Sequence, residues 1–552
     1  MWRKHLIRQS RATTPLIARI AACMLLFGCL SCMQGSVLER DRGDRQVSSL
    51  ATPGQLLAYP AQGRGQELTQ FERVDGTKEV YYAAGDTFLT VSFDLMDRYW
   101  SEIAKTDKRL LRGHLDNYLP IALLQLNHKP AEGMMRSFAD SFFSARNPQT
   151  GLIPYSYDEW SSTFQVETGG KQPAVLVEKG VELYQWFPND PDLQKKVVAL
   201  ALATMKYFDF ELQPGKKGGM WNYVDVKSGG EPRSRVARTQ DFGAIANGLA
   251  YLSQKTGDPR FVKWADQKLE FVWQHRMNLN LPLLAEQFTP TSALIDPEEN
   301  SSDTDTLYHV QLLFDLYDLT GEKKYRDWAI AVTNLWFEKA WNETGGHFIR
   351  KLNPDATPAV DELYGDGKYN TLYILVDAYR VTKDAKYIDR FKQAWGNLLQ
   401  MGKDGFVPQR VERGKMVDKY GLDKQQTIFL DILAKAYEAS KDKEILQQAQ
   451  ALGKRILERG ETVMRLEGGQ AGHAFLRLAL AQQKIRRLEV TLGKAGTNLT
   501  VMRDGNSVLE VKVPAEVAVV YLPEGTYNIE VVKDGISQKE SIKLYSDQQM
   551  EL

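Results

Sequence analysis

Cysteine is missing from nearly the whole chain: the only three, Cys23, Cys29 and Cys32, lie within the first 32 residues. The remainder therefore holds no disulfide, no thiol nucleophile and no thiolate metal site. Net charge is missing too, with 70 Lys and Arg balanced by 70 Asp and Glu, so bulk attraction gives no reason to expect a nucleic-acid partner. No Walker glycine loop, dinucleotide fingerprint or zinc-protease histidine pair occurs, which disfavours nucleotide and zinc chemistry. What is present is an ordinary globular composition, 43% hydrophobic and 25% charged over 552 residues, with ample material for a large core.

The amino terminus stands apart. Arg3, Lys4, Arg8, Arg11 and Arg19 precede the short apolar run from Ile20 to Cys29, the pattern of a secretory signal and too short for a good membrane-spanning helix. Leu26-Phe27-Gly28-Cys29 resembles a bacterial lipobox, in which Cys29 would carry the lipid; Cys32 is a second candidate, and an ordinary cleaved signal is the plain alternative. The reading is a signal over residues 1–32, a polar tether over 33–67 and a body held at the periplasmic or outer face of a Gram-negative-type envelope.

Within the body, a polar turn recurs. Thr256-Gly257-Asp258, Thr320-Gly321-Glu322, Thr382-Lys383-Asp384 and Ser440-Lys441-Asp442 lie at successive spacings of 64, 62 and 58 residues, each between two stretches with apolar residues at three- and four-residue steps. A fixed period of this kind marks helical hairpins that cannot bury their apolar faces alone. The steps predict helix pairs at 115–127/130–145, 173–187/190–212, 239–255/258–276, 303–341, 366–382/384–401 and 423–439/442–458, with further helices near 92–106 and 468–484.

The connections between hairpins are long and share a pattern of glycine before apolar and aromatic residues, as in Gly151-Leu152-Ile153-Pro154-Tyr155, Gly218-Gly219-Met220-Trp221, Gly345-Gly346-His347-Phe348-Ile349 and Gly405-Phe406-Val407. Loops of this kind on one end of a helical ring build a walled pocket. On this period and these loops the chain resembles the six- and seven-hairpin (α/α) toroid glycosidase superfamily. That resemblance covers roughly residues 90–485 and implies an (α/α)6 or (α/α)7 toroid acting on glycans as a hydrolase, lyase or epimerase.

Candidate chemistry follows from the acids that open inner helices. Asp241, Asp303, Asp305 and Asp366 each fit a helix cap or first turn, yet a ring of helices would aim them all at one cavity, where crowding raises one carboxyl pKa while another stays ionised. Glycoside hydrolysis needs such a pair; the expected one is Asp241 with Asp303 or Asp305, with Asp366 and Glu178 in reserve. Trp160, Trp221, Tyr223, Tyr308 and Tyr369, in or beside the long connections, are candidate sugar platforms, whereas Trp264, Trp328, Trp336 and Trp395 sit within second helices and read as core. Arg238 is a candidate for an acidic group on the glycan, and His309 for a base or a hydrogen-bonded wall residue. No cofactor is expected. The acidic run Asp296–Asp305 has oxygens enough for calcium, but it lacks the spacing and glycine of an EF-hand loop, so a solvated acidic loop is the preferred reading and calcium the minor one.

From about Arg487 the helical period gives way to alternation, as in Leu488-Glu489-Val490-Thr491-Leu492 and Val517-Ala518-Val519-Val520-Tyr521-Leu522, predicting a small antiparallel β-sandwich over 487–552. Its Pro523-Glu524-Gly525-Thr526 turn resembles PEGA-type surface modules. Residues 68–486 are assigned to the toroid, with possible strands at 68–95 ahead of the first helix. Three readings follow: a glycan hydrolase of the envelope, a lyase or C5-epimerase acting on uronic-acid sugars, and a non-catalytic glycan-binding or assembly scaffold.

Overall fold

The computed structural model describes residues 68–72, 76–95, 142–153, 187–213, 216–221, 223–225, 231–234, 237–294, 302–364, 366–418, 426–459 and 468–552, with isolated positions and short pieces elsewhere between 126 and 229. The signal, the tether and Cys29 lie outside these residues.

The chain is a mainly α toroid of hairpins carrying a small β module. Its described helices are α1 (Pro191–Phe208), α2 (Thr239–Thr256), α3 (Pro259–Gln274), α4 (Thr306–Thr320), α5 (Lys323–Lys339), α6 (Asp366–Thr382), α7 (Ala385–Met401), α8 (Gln426–Ser440), α9 (Lys443–Arg459) and α10 (Gly468–Gln482). The repeated turn has a repeated cause. Thr256, Thr320, Thr382 and Ser440 each donate their hydroxyl to the carbonyl four residues back, at 2.6–2.7 Å. Each hydroxyl also accepts the N–H two residues on. The intervening residue, Gly257, Gly321, Lys383 or Lys441, takes the left-handed conformation that ends a helix. Asp258, Asp384 and Asp442 then accept a backbone N–H of the next helix, an N-cap worth about 1 kcal/mol where measured in proteins.

Helices α2, α4, α6, α8 and α10 pack in sequence as an inner layer, each of the first four backed by the helix that follows it. The ring continues through the helical segment 87–95. Phe88 stacks on Phe475 of α10 with centroids 5.9 Å apart, and Phe93 meets His128 at 5.4 Å. One apolar cluster joins all these elements. Outer-helix tryptophans serve that core: Trp336 and Trp395 are fully buried, and truncating such a side chain to Ala typically costs ~3–5 kcal/mol.

The β module corrects one boundary. Its strands are β1 (Leu68–Glu72), β2 (Lys78–Ala83), β3 (Ile485–Thr491), β4 (Thr497–Arg503), β5 (Asn506–Val513), β6 (Val517–Pro523), β7 (Gly525–Lys533), β8 (Ile536–Leu544) and β9 (Gln548–Glu551). They form two sheets, β1-β2-β6-β3-β9 and β5-β4-β7-β8. The strands before the first helix, assigned above to the toroid, thus belong to the carboxy-terminal module, because β2 pairs in parallel with β6 over five residues from Glu79↔Val517 to Ala83↔Tyr521. Alternation explains how β2 and β6 serve two cores at once. Val80, Tyr82, Ala518, Val520 and Leu522 fill the sandwich, while Tyr81, Ala83, Val517, Val519 and Tyr521 face the toroid. There Tyr81 and Tyr521 enclose His128, whose complete burial lowers its pKa to about 3 and keeps the ring neutral.

Candidate active site

The amino-terminal ends of α2 and α4 meet the strand pieces of the long connections. Ala237–Arg238 pairs antiparallel with Gln287–Phe288, and Ser302–Asp303 with Lys351–Leu352. Thr239 locks the first of these joints: its N–H donates to Glu286 O at 2.9 Å, and its hydroxyl reaches the carbonyls of Ala285 and Glu286. Residues from 238 to 241, 285 to 287, 302 to 306 and 350 to 351 are thereby assembled, although more than a hundred positions separate the first from the last.

Asp303 is the chemically distinctive member. Its side chain is 1% exposed, and Oδ1 accepts from the Thr304 hydroxyl at 3.0 Å and the Asp305 N–H at 3.2 Å. Oδ2 lies 3.1 Å from Arg350 Nε and 3.8 Å from Lys351 Nζ, but the Arg350 N–H is not aligned for a hydrogen bond and Oδ2 stays without one. Burial pushes the Asp303 carboxyl up to about 7; the neighbouring Asp305 and Glu286 carboxylates add to the rise, and Arg350 opposes it. A carboxyl raised in this way suits the role of a general acid.

The other expected residues fall into three sets. Asp241 is buried and its Oδ2 accepts the Arg238 N–H at 3.0 Å, so this carboxylate closes the first turn of α2; Asp303 likewise accepts a backbone N–H, so the bond by itself does not decide between capping and proton transfer. Asp305 is half-buried beside Asp303 and heads α4 without bonding its backbone. Asp366 opens α6 and Tyr223 opens the strand Tyr223–Asp225, with side chains outside the described residues; Glu178 and Trp160 lie outside them altogether. Tyr308 and Tyr369, expected at a sugar, are core residues with 4% and 3% exposure, and Tyr369 packs edge-on against Phe429 at 5.4 Å. Inner helices bury their whole first turn here, so an aromatic there meets neighbouring helices before it meets solvent. Trp221 packs against Phe210 at 5.2 Å and the small cluster of Leu152, Phe208 and Val224. His309 is buried against α2 and touches the Thr239 backbone; burial lowers its pKa to about 4, which makes it a neutral wall residue. Arg238 is half-buried, its backbone engaged as described.

Two members of the site had no sequence signal of the kind sought. Glu286 sits in a connection, away from any helix start, and Arg350 follows the Gly345-Gly346-His347-Phe348-Ile349 run by one residue. Arg350 stacks over the Tyr364 ring with Cζ 3.9 Å from its centroid, and Arg410 flanks the same ring at 5.2 Å while pairing with Glu362. Among the described residues, no group of three or more His, Cys, Asp or Glu is arranged to hold a metal ion, and residues 296–301 of the acidic run lie outside the description.

Residues 239–405 match the sequence model of Glycosyl Hydrolase Family 88. The matched stretch runs from the first residue of α2 past the end of α7 and contains Asp241, Asp303, Asp305, Glu286 and Arg350. It supports chemistry on carbohydrate. No curated protein matches the chain. Among solved structures the chain is similar to a cellobiose 2-epimerase from Bacillus thermoamylovorans, at 15% identity and TM-score 0.46 over 60% of this chain and 87% of that one. It is similar also to a D-mannose isomerase, at 13% and 0.47 over 78% and 98%, and to a beta-1,3-1,4-glucanase from a Paenibacillus species, at 11% and 0.42 over 63% and 91%.

Proposed function

We propose that this chain hydrolyses glycosidic bonds of a poly- or oligosaccharide, with Asp303 as the group that delivers the proton. The observation that carries the reading is the Asp303 carboxyl at the mouth of a hairpin toroid, 1% exposed with Oδ2 free of any hydrogen bond, raised by burial and set beside Asp305 and Glu286. Asp303 gives its proton to the glycosidic oxygen as the bond to the anomeric carbon breaks. Asp305 or Glu286 takes a proton from the water that attacks that carbon. Arg350 and Lys351 beside Asp303 favour a second reading in one respect: two cations suit a uronate carboxylate, and abstraction of its C5 proton would give elimination or epimerisation.

A panel of neutral and uronate glycans, followed for reducing ends and for ultraviolet absorbance of unsaturated products, separates the two. Reducing ends alone support hydrolysis; both signals together indicate elimination; neither, across the panel, sinks both and leaves the scaffold reading. Export and lipid anchoring rest on the basic and apolar pattern before Cys29. Cys29→Ala should move the protein from the membrane to the soluble fraction of envelope preparations, and unchanged partitioning would remove Cys29 from the reading.

A further inference from the structure

At the first turn of α2, next to Asp241, the side chain of Gln240 is 5% exposed and neither its amide nitrogen nor its amide oxygen has a hydrogen-bond partner. An amide buried with both ends unpaired is a rare and unfavourable arrangement in a folded protein. The local backbone gives it no route of escape. Thr239 is fixed to the 285–286 carbonyls, and the Arg238 N–H to Asp241. On the same face three residues on, α2 presses so closely on α4 that a Cβ at Gly243 would lie 2.9 Å from His309 Nδ1 and from Leu312 Cδ1. One turn further, Asn247 donates to Leu312 O at 3.0 Å. Gln240 therefore stands on the face of α2 that meets α4, one turn nearer the mouth than the His309 contact, at the end of α4 that carries Asp303 and Asp305.

We propose that Gln240 is a specificity residue of this site that reads two adjacent hydroxyls of the bound sugar ring. A carboxamide holds one acceptor and one donor side by side, and vicinal hydroxyls present the complementary pair, one donating and one accepting. Binding a sugar completes both bonds, and a ring lacking either hydroxyl leaves half the amide unpaired, which is how a buried polar group discriminates. The proposal rests on the reading of the mouth as a sugar site, and it adds the ligand class: a pyranose with free vicinal hydroxyls at the ring nearest Asp303.

The test uses the full chain and methyl D-glycosides of glucose, mannose, galactose and glucuronic acid, with their monodeoxy analogues, as calorimetric probes. The best-bound probe should lose affinity about 10- to 100-fold in Gln240→Leu, while the melting temperature of Gln240→Leu holds or rises, because an unpaired amide has been exchanged for an apolar group of similar shape. Removing one of the two hydroxyls should weaken binding to the wild type and change nothing in Gln240→Leu, the signature of a direct contact in a double-mutant cycle. Equal affinity of wild type and Gln240→Leu overturns the proposal, as does binding of none of the probes. Lost binding in Gln240→Leu without turnover of any glycan by the wild type would uphold Gln240 and sink hydrolysis; turnover with KM unchanged by Gln240→Leu would do the reverse.

Discussion

The inner helices carry charge at both ends, and the two ends are built on opposite rules. In the deeper half, Lys435 of α8 donates to Asp377 of α6 at 2.8 Å, and Arg380 bridges Asp377 to Asp318 of α4 at 3.2 and 2.6 Å. Arg477 of α10 reaches both oxygens of Asp431 at 3.2 Å and Glu438 at 2.6 Å, and Tyr373 donates to Asp431 at 2.8 Å. Burial alone would raise Asp431, but Arg477, His473 and Tyr373 together hold it below the ordinary carboxylate range. At the mouth burial wins: Asp303 has Arg350 and Lys351 near Oδ2, but burial and the neighbouring Asp305 and Glu286 outweigh the cations and its pKa climbs. Hydrogen-bonded buried charge ties four inner helices together, whereas a buried carboxyl with an oxygen left without a hydrogen bond has its pKa pushed up to about 7. Asp315 is the exception in the deeper half, raised well above its usual value by burial.

The sharpest way to break this contrast is Asp303→Asn. It should lower glycan turnover about 10²- to 10⁴-fold, the usual share of a general acid, and the wild-type rate should fall as pH rises above about 7. Stability runs the other way. Because the folded pKa of Asp303 exceeds its unfolded value near 4, the native state holds the proton longer, and wild-type stability declines between about pH 4 and pH 7 by at most on the order of 4 kcal/mol. Asp303→Asn should abolish that decline in melting scans; a parallel pH profile in the two proteins would show that Asp303 is an ordinary ionised residue. Next in size, Arg477→Met leaves Asp431 and Glu438 without their shared cation and should cost ~3–5 kcal/mol in urea unfolding, and an unaltered midpoint would break the structural half of the comparison. Gly243→Ala should cost ~1–3 kcal/mol by overpacking α2 against α4, read by the same assay; a neutral result would mean that the two helices have room to part. Smallest, Lys383→Gly and Lys441→Gly relieve left-handed backbone at φ 59° and 58° and should each raise stability by about 1 kcal/mol, with no effect on turnover.

Much of the scaffold was legible from residue order because its causes are local. The Thr/Ser-x-Asp/Glu turn carries its own hydrogen bonds, and apolar spacing marks which face of each helix must be covered, so the helix pairs predicted at 239–255/258–276 and 366–382/384–401 fall within a few residues of those observed. The β strands at the carboxy terminus were legible for the same reason. The partner of β2 was not, since a parallel pairing across more than four hundred residues leaves no periodic trace; nor was Glu286, which no helix start announces.

What the order of residues determined alone was therefore the repeat, its turns and the supply of acids at inner-helix starts, all set by interactions spanning a few positions. Which acid caps a helix and which holds a proton was decided only by the folded ring. Asp241 and Asp303 look alike in sequence, but Asp241 accepts the Arg238 N–H, whereas Asp303 is brought up against the half-buried Asp305 and Glu286 and the cations of 350–351. A carboxyl's pKa is set by what surrounds it in space, and those surroundings come from segments that only closure of the helices brings together.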